Sequence, residues 1–113
     1  MAKLSPYETG ELTDNIFFIL MSTSVPIHGY GIMKAVQEAT DQTIDIGPAT
    51  MYTTLKKLRH AGWIAEAGEE DSKILYKITD SGQKILNENF ERKKKIVVFA
   101  EKIIGRSSNG AKS

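Results

Sequence analysis

Apolar positions recur at helical spacing through most of the chain and switch to alternation over a single stretch. From Gly10 to about Ser22, Leu12, Ile16, Ile19 and Leu20 share one face with Phe17 beside it, while Phe18 falls off that stripe. A helix apolar on more than one side is either central in a core or shared with a partner chain, so Leu12 and Ile16 are candidate dimer contacts. Ser24-Val25-Pro26 breaks this helix. A second helix over about Gly29–Ala39 buries Ile32, Met33 and Val36, and Thr40–Ile46 is a polar connector. The third helix opens on Gly47-Pro48, an N-cap and a first-turn proline, and buries Met51, Leu55 and Leu58. Gly62 stops it, and Arg59 and His60 suit the dipole of its last turn.

After Gly62 the period changes. Trp63–Ala67 and Lys73–Ile78 alternate as strands, and Gly68–Ser72 between them is a turn-forming linker. Thr79 and Asp80 then supply capping side chains for a long helix from about Ser81 to Ile104, roughly 36 Å, which exceeds what so small a core needs. Its outer half carries Ile96, Val97, Phe99, Ala100, Ile103 and Ile104, and Phe90, Val97 and Ile104 repeat at heptad spacing. Apolar residues this far from the core call for a second subunit. The fold class expected is mainly α (α+β): a winged helix-turn-helix with a two-stranded wing and a long C-terminal dimerisation helix. Residues 1–79 form the winged-helix domain behind a loose lead-in over 1–9, residues 80–104 the dimerisation helix, and residues 105–113 have the composition of a flexible tail.

Composition narrows the chemistry. At 113 residues the chain is one domain, 41% hydrophobic and 26% charged, as soluble globular proteins are. A net charge of +1 means that any nucleic-acid partner must be held by local charge placement. The absence of cysteine excludes disulfides, thiolate metal ligands and a thiol nucleophile. No apolar run matches a membrane span and the first residues are too polar for a signal peptide, so the expected location is the cytoplasm. The histidines, His28 and His60, have no partner at ligand spacing, and Gly29-Tyr30-Gly31 lacks the rest of any phosphate loop. No acid, base and nucleophile are grouped. Neither an enzyme nor a cofactor is expected.

The third helix offers a different chemistry. Its start at Pro48 presents free N–H groups and positive dipole to a phosphate. Thr50, Thr53 and Thr54 are short hydroxyls where a base edge could be approached, and Lys56, Lys57 and Arg59 flank them as cations. Tyr52 either hands its hydroxyl to a phosphate or packs at the core edge. His28 and Tyr30, at the start of the preceding helix, lie beside such a groove, and His28 serves there or as a helix cap. The basic run Arg92–Lys95 sits on the long helix and reads as a solvated face. A rival without DNA, a protein-interaction module on the same fold, is favoured by the near-neutral charge and the acidic turn Glu69-Glu70-Asp71.

Four motifs in order, H-G-Y at 28–30, P-A-T-M-Y-T-T-L-K-K-L at 48–58, G-W-I at 62–64 and Y-K-I-T-D-S-G at 76–82, resemble the PadR family of bacterial transcriptional regulators. The single long C-terminal helix is similar to the family's small subfamily. The resemblance implies a homodimeric winged-helix repressor on a palindromic operator, with the helix matching Pro48–Arg59 in the major groove and the wing near the adjacent minor groove or backbone. It places Lys73 of the wing near phosphate and implies, for some members, release by a small aromatic effector at the dimer interface. Two departures stand out. The wing of many relatives is longer and carries arginines before the Y-Y of its second strand, where this chain has D-S-K-I-L-Y at 71–76 and an acidic tip of Glu69, Glu70 and Asp71. The only tryptophan, Trp63, lies at the wing's root and not on the C-terminal helix.

Overall fold

The computed structural model describes the backbone of residues 4–112 and the side chains of residues 4–105. Its elements are α1 (Pro6–Thr9), α2 (Asp14–Ser22), α3 (Gly29–Ala39), α4 (Pro48–His60), β1 (Ile64–Glu70), β2 (Lys73–Ile78) and α5 (Asp80–Lys112). The chain is mostly helical with one antiparallel two-stranded sheet, as its periodicity requires.

Helix α4 forms where expected. Gly47 is its N-cap, Pro48 fills the first turn, and Met51, Leu55 and Leu58 are buried in the centre of the core. Gly62, at φ +81°, turns the chain out of α4 through the left-handed region, where a side chain would be strained. Helix α3 packs Ile32 and Val36 inward and leaves Met33 only half-buried. Helix α2 begins at Asp14, later than its apolar stripe suggested, because Thr13 takes the N-cap by accepting a hydrogen bond from the Ile16 N–H. Residues 10–13 are therefore a loop. Leu12 on that loop is buried within this chain's own core, which corrects its expected place at a dimer interface. The short α1 replaces part of the expected loose lead-in. Its signal was the Ser-Pro-x-Glu spacing: the Ser5 N–H donates to Glu8 Oε1 at 3.1 Å.

The wing is longer and its turn tighter than the alternation suggested. Strand β1 runs on to Glu70, a bulge interrupts the ladder between Glu66 and Glu69, and Asp71-Ser72 make a two-residue turn. Both turn residues have positive φ, 51° and 65°, the mirror-image geometry that matches strand twist. A two-stranded ribbon is marginal alone. This one is anchored by Ile27, whose N–H and carbonyl pair with Tyr76 at 3.0 and 2.8 Å, and by the Ile78 N–H donating to the Thr23 carbonyl at 2.8 Å. Tyr76 is accordingly the buried member of its strand face, while Ile74 is exposed.

Helix α5 starts where the wing ends. Thr79 Oγ1 accepts from the Gly82 N–H at 3.1 Å and donates to the Gly62 carbonyl at 2.6 Å, tying the start of α5 to the end of α4. The helix passes Ile104, where it was expected to end, and reaches Lys112, so the boundary drawn at residue 105 does not coincide with a helix end. With 33 residues it spans roughly 50 Å. Only its first turns join the core, through Gly82, Leu86 and Asn89; beyond Asn89 none of the described side chains is buried. The radius of gyration, 16.7 Å, exceeds the roughly 13 Å of a compact chain this long because of that projection.

A side chain at Gly82 would meet the Trp63 backbone carbonyl: a Cβ built there lies 2.0 Å from that oxygen. Backbone cannot yield as a flexible side chain would. Gly82→Ala is therefore expected to cost about 3 kcal/mol in urea or thermal unfolding, at the upper end for overpacking. An unchanged melting curve would show that α5 does not press on Trp63.

Candidate nucleic-acid interface

Burial of Met51, Leu55 and Leu58 leaves the opposite side of α4 in solvent: Pro48, Thr50, Tyr52, Thr53, Lys56, Lys57, Arg59 and His60 are all exposed. One expected member is missing. Thr54 is 9% exposed and hydrogen-bonds the Tyr7 hydroxyl, so it faces the core and not a base edge. It follows Thr53 by a single residue, and a step of 100° around the helix carries it off the exposed face. Thr50 and Thr53 are exposed, one turn apart.

Arg59 is diverted as well. Its guanidinium pairs with Glu66 of the wing at 2.8 Å, both groups about half exposed, so part of its charge is spoken for. Lys56 and Lys57 make no ion pair among the described residues. They are the cations of this helix without a carboxylate partner, one turn below the threonines, with the Lys57 ammonium 6.0 Å from the Tyr7 ring centroid.

The folding of α3 against α4 and β2 gathers the other candidates. His28, Gly29, Tyr30, Tyr52, Lys73 and Tyr76 line a concavity of about 300 Å³ between the start of α3 and the wing. His28 is a helix cap: its Nδ1 accepts from the Gly31 N–H at 3.1 Å. Its ring stacks near that of Tyr30, centroids 6.5 Å apart. Tyr52 leans on Gly29, where a Cβ would come within 2.9 Å of the ring, so the missing side chain seats the tyrosine. Lys73 reaches over the Tyr30 ring at 5.7 Å, and Lys34 does the same from α3 at 5.7 Å, within cation–π range. Lys34 was not singled out from sequence. The signal was available, because Tyr30 and Lys34 stand at helical i, i+4 spacing. Beside Lys73 the wing tip carries exposed Glu69, Glu70, which pairs with Lys73 across the ladder, and Asp71, all of which would repel phosphate.

The other flank of α4 meets α1. Tyr7, Ile16, Thr53, Thr54, Lys56 and Lys57 line a groove of about 970 Å³ there. Half-buried Ile16 belongs to this groove on the winged helix and not to the outer part of α5. The Tyr7 ring packs on Trp63, centroids 5.7 Å apart, and burial pushes its hydroxyl pKa up, partly opposed by the hydrogen bond from Thr54. No cluster of three His, Asp or Glu side chains suited to a metal ion occurs among the described residues.

On α5, Phe90, Ile96, Val97, Phe99, Ile103 and Ile104 are exposed, Phe99 by 64%, and Ala100 is half-buried. An apolar surface this continuous is unusual for a lone soluble subunit. The basic run on the same helix is largely tied locally, Lys93 to Asp14 at 2.9 Å and Lys94 to Glu91 at 3.5 Å.

The model of the transcriptional regulator PadR-like family matches residues 18–88. No curated protein matches the sequence. Among solved structures, the chain is similar to a transcriptional regulator from Clostridium thermocellum, with 22% identity over 90% of this chain and 97% of that one and a TM-score of 0.64. A PadR family transcriptional regulator from Eggerthella lenta is 22% identical over 80% of each chain, with a TM-score of 0.65. Bacillus subtilis PadR in complex with operator DNA is 27% identical over 67% of this chain and 46% of that one, with a TM-score of 0.57.

The Tyr7 environment has a signature in pH. A hydroxyl whose pKa is raised on folding favours the folded state while it is neutral, and that contribution is lost as pH climbs from the ordinary value near 10 through the raised one. Stability is expected to fall above pH 10 more steeply in the natural chain than in Tyr7→Phe. Parallel pH–stability curves for the two would show that Tyr7 is not buried against Trp63.

Proposed function

The chain belongs to the PadR-like family of transcriptional regulators, and we propose that it is a homodimeric repressor that binds a palindromic operator through α4. The observation that carries this reading is the exposed face of α4. It places a helix N-terminus, two outward hydroxyls and two unpaired lysines on one surface, with the lysines Lys34 and Lys73 flanking it. Thr50 and Thr53 are nearest the bases in the major groove, while Tyr52, Lys56, Lys57, Lys73 and the Pro48 end of the helix are nearest phosphates. Tyr30 and His28 seat Lys73 and the start of α3. Glu69, Glu70 and Asp71 stand beside Lys73 at the turn and limit what the wing adds, so α4 carries most of the contact.

The second subunit covers the outer part of α5, with Phe90, Val97, Phe99, Ala100, Ile103 and Ile104 in the seam. Two α4 helices about one helical turn of DNA apart, roughly 34 Å, then read the two half-sites. A flat aromatic effector lodged in that seam would find Phe90 and Phe99 for stacking, because Trp63 is buried against Tyr7. The protein-interaction module remains the second reading, supported by the acidic wing tip and by the net charge of +1. No helix among the described residues is long and apolar enough to cross a membrane.

Binding to genomic fragments, above all the chain's own promoter, titrated against salt, separates the two readings. Selective binding that falls steeply with salt is expected, and binding no tighter than to bulk DNA would favour the interaction module. Lys56→Ala and Lys57→Ala are each expected to weaken all duplexes alike and to reduce the salt slope by about one per lost phosphate contact. Slopes left unchanged by both would move the phosphates elsewhere. Val97→Glu with Ile104→Glu is expected to give monomers in sedimentation, and a persisting dimer would take the seam off α5.

A further inference from the structure

The position of each recognition helix in a dimer depends on the angle at which α5 leaves the winged helix. That angle is fixed near Asn89, because beyond it no described side chain of α5 is buried. Leu86 contributes apolar packing there, which resists separation but tolerates rotation and sliding. Asn89 contributes direction. Its side-chain carbonyl accepts from the Leu12 N–H at 3.0 Å and from Arg92 Nη2 at 2.8 Å. Its amide donates to the Gly10 and Ile85 carbonyls, both at 2.8 Å, and the residue is 1% exposed. Arg92 also reaches Glu11 at 3.6 Å, and Lys93 bonds Asp14 at 2.9 Å with its ammonium 5.0 Å from the Phe17 ring centroid. A single turn of α5 thus grips the whole loop that leads into α2.

We infer that Asn89 is a positioning residue that sets which half-site spacing the dimer accepts, with Arg92 and Lys93 as its outer braces. The inference rests on the homodimeric DNA-binding reading above. A buried amide with its donors and acceptors all answered specifies one geometry, whereas an apolar side chain of the same size would specify only contact. A rotation at this turn displaces α4 relative to the seam, and a displacement of about 3.4 Å, the rise of one base pair, is enough to change the half-site spacing that fits. Holding the angle therefore holds the spacing. None of these side chains lies on the exposed face of α4, so sequence readout at each half-site is independent of them.

Two readouts on the full chain test this. The chain has no cysteine, so a nitroxide on Glu38→Cys of α3 is unique and reports the distance between subunits without DNA. A single narrow distance is expected in the otherwise natural chain and a broadened one in Asn89→Leu. With DNA, duplexes carrying both half-sites at the preferred separation, or one base pair more or fewer, give a spacing selectivity. Asn89→Leu is expected to lower that selectivity by about tenfold, the scale of losing a buried hydrogen-bond partner. Affinity for a single half-site should stay within about twofold, as for distant independent sites. Arg92→Ala with Lys93→Ala is expected to act in the same direction more weakly, and it decides the matter if Asn89→Leu does not fold. A cooperatively melting dimeric variant with unchanged distance width and unchanged spacing selectivity overturns the assignment. A natural chain that selects no duplex overturns the DNA reading instead, and the nitroxide distance still decides whether Asn89 holds the angle. Absence of any intersubunit distance overturns both.

Discussion

The backbone carbonyl of Trp63 is the point on which the architecture turns. It accepts from the Thr79 N–H at 2.9 Å, and Thr79 in turn holds the Gly62 carbonyl and caps α5. The end of α4, both ends of the wing and the start of α5 are thereby fixed within a few residues of one another. Such local closure leaves little freedom between the surface that would meet DNA and the helix that would meet a second subunit. The indole side of the same residue completes the arrangement, packing on Tyr7 and closing the core from the N-terminal side.

Charge in this protein is a matter of address and not of amount. A net charge of +1 offers no general attraction to a polyanion. The cations are instead sorted by what stands next to them. Arg59, Arg92, Lys93 and Lys94 are matched by carboxylates, while Lys56 and Lys57 of α4 have none among the described residues; Lys57 lies over the Tyr7 ring, and Lys34 and Lys73 over that of Tyr30. Sorting of this kind favours selective over indiscriminate association, because the α4 face gathers several cations that no carboxylate matches among the described residues. The acidic wing tip sharpens the boundary of that face.

Helix α5 divides into two parts with different solvents. Up to Asn89 it is a core helix with buried Leu86; past Asn89 it carries a charged turn and then an apolar surface without a covering layer among the described residues. The change of environment occurs at a polar residue, and that is physically sensible. A directional amide can hold an angle at the exit from a core, which interchangeable methyl groups cannot.

The sequence by itself determined the order and kind of the elements, because helical and alternating apolar periods are local and the core face of α4 follows from Met51, Leu55 and Leu58 alone. It determined the wing and the apolar outer part of α5 for the same reason, while the resemblance to the family rested on four short motifs in order. Local chemistry also held the signal for α1, in Ser5-Pro6 and Glu8, though it is short enough to pass for a lead-in. Tertiary structure decided what local period cannot carry. The helical period already carried Thr54 off the exposed face, but only the fold made Tyr7 its neighbour, and Leu12 was claimed by the chain's own core because Asn89 draws its loop down. Lys34 and Lys73 met over Tyr30 only because the wing folds back on α3. Periodicity fixes which face a residue occupies, but which neighbour fills that face depends on contacts far apart in sequence.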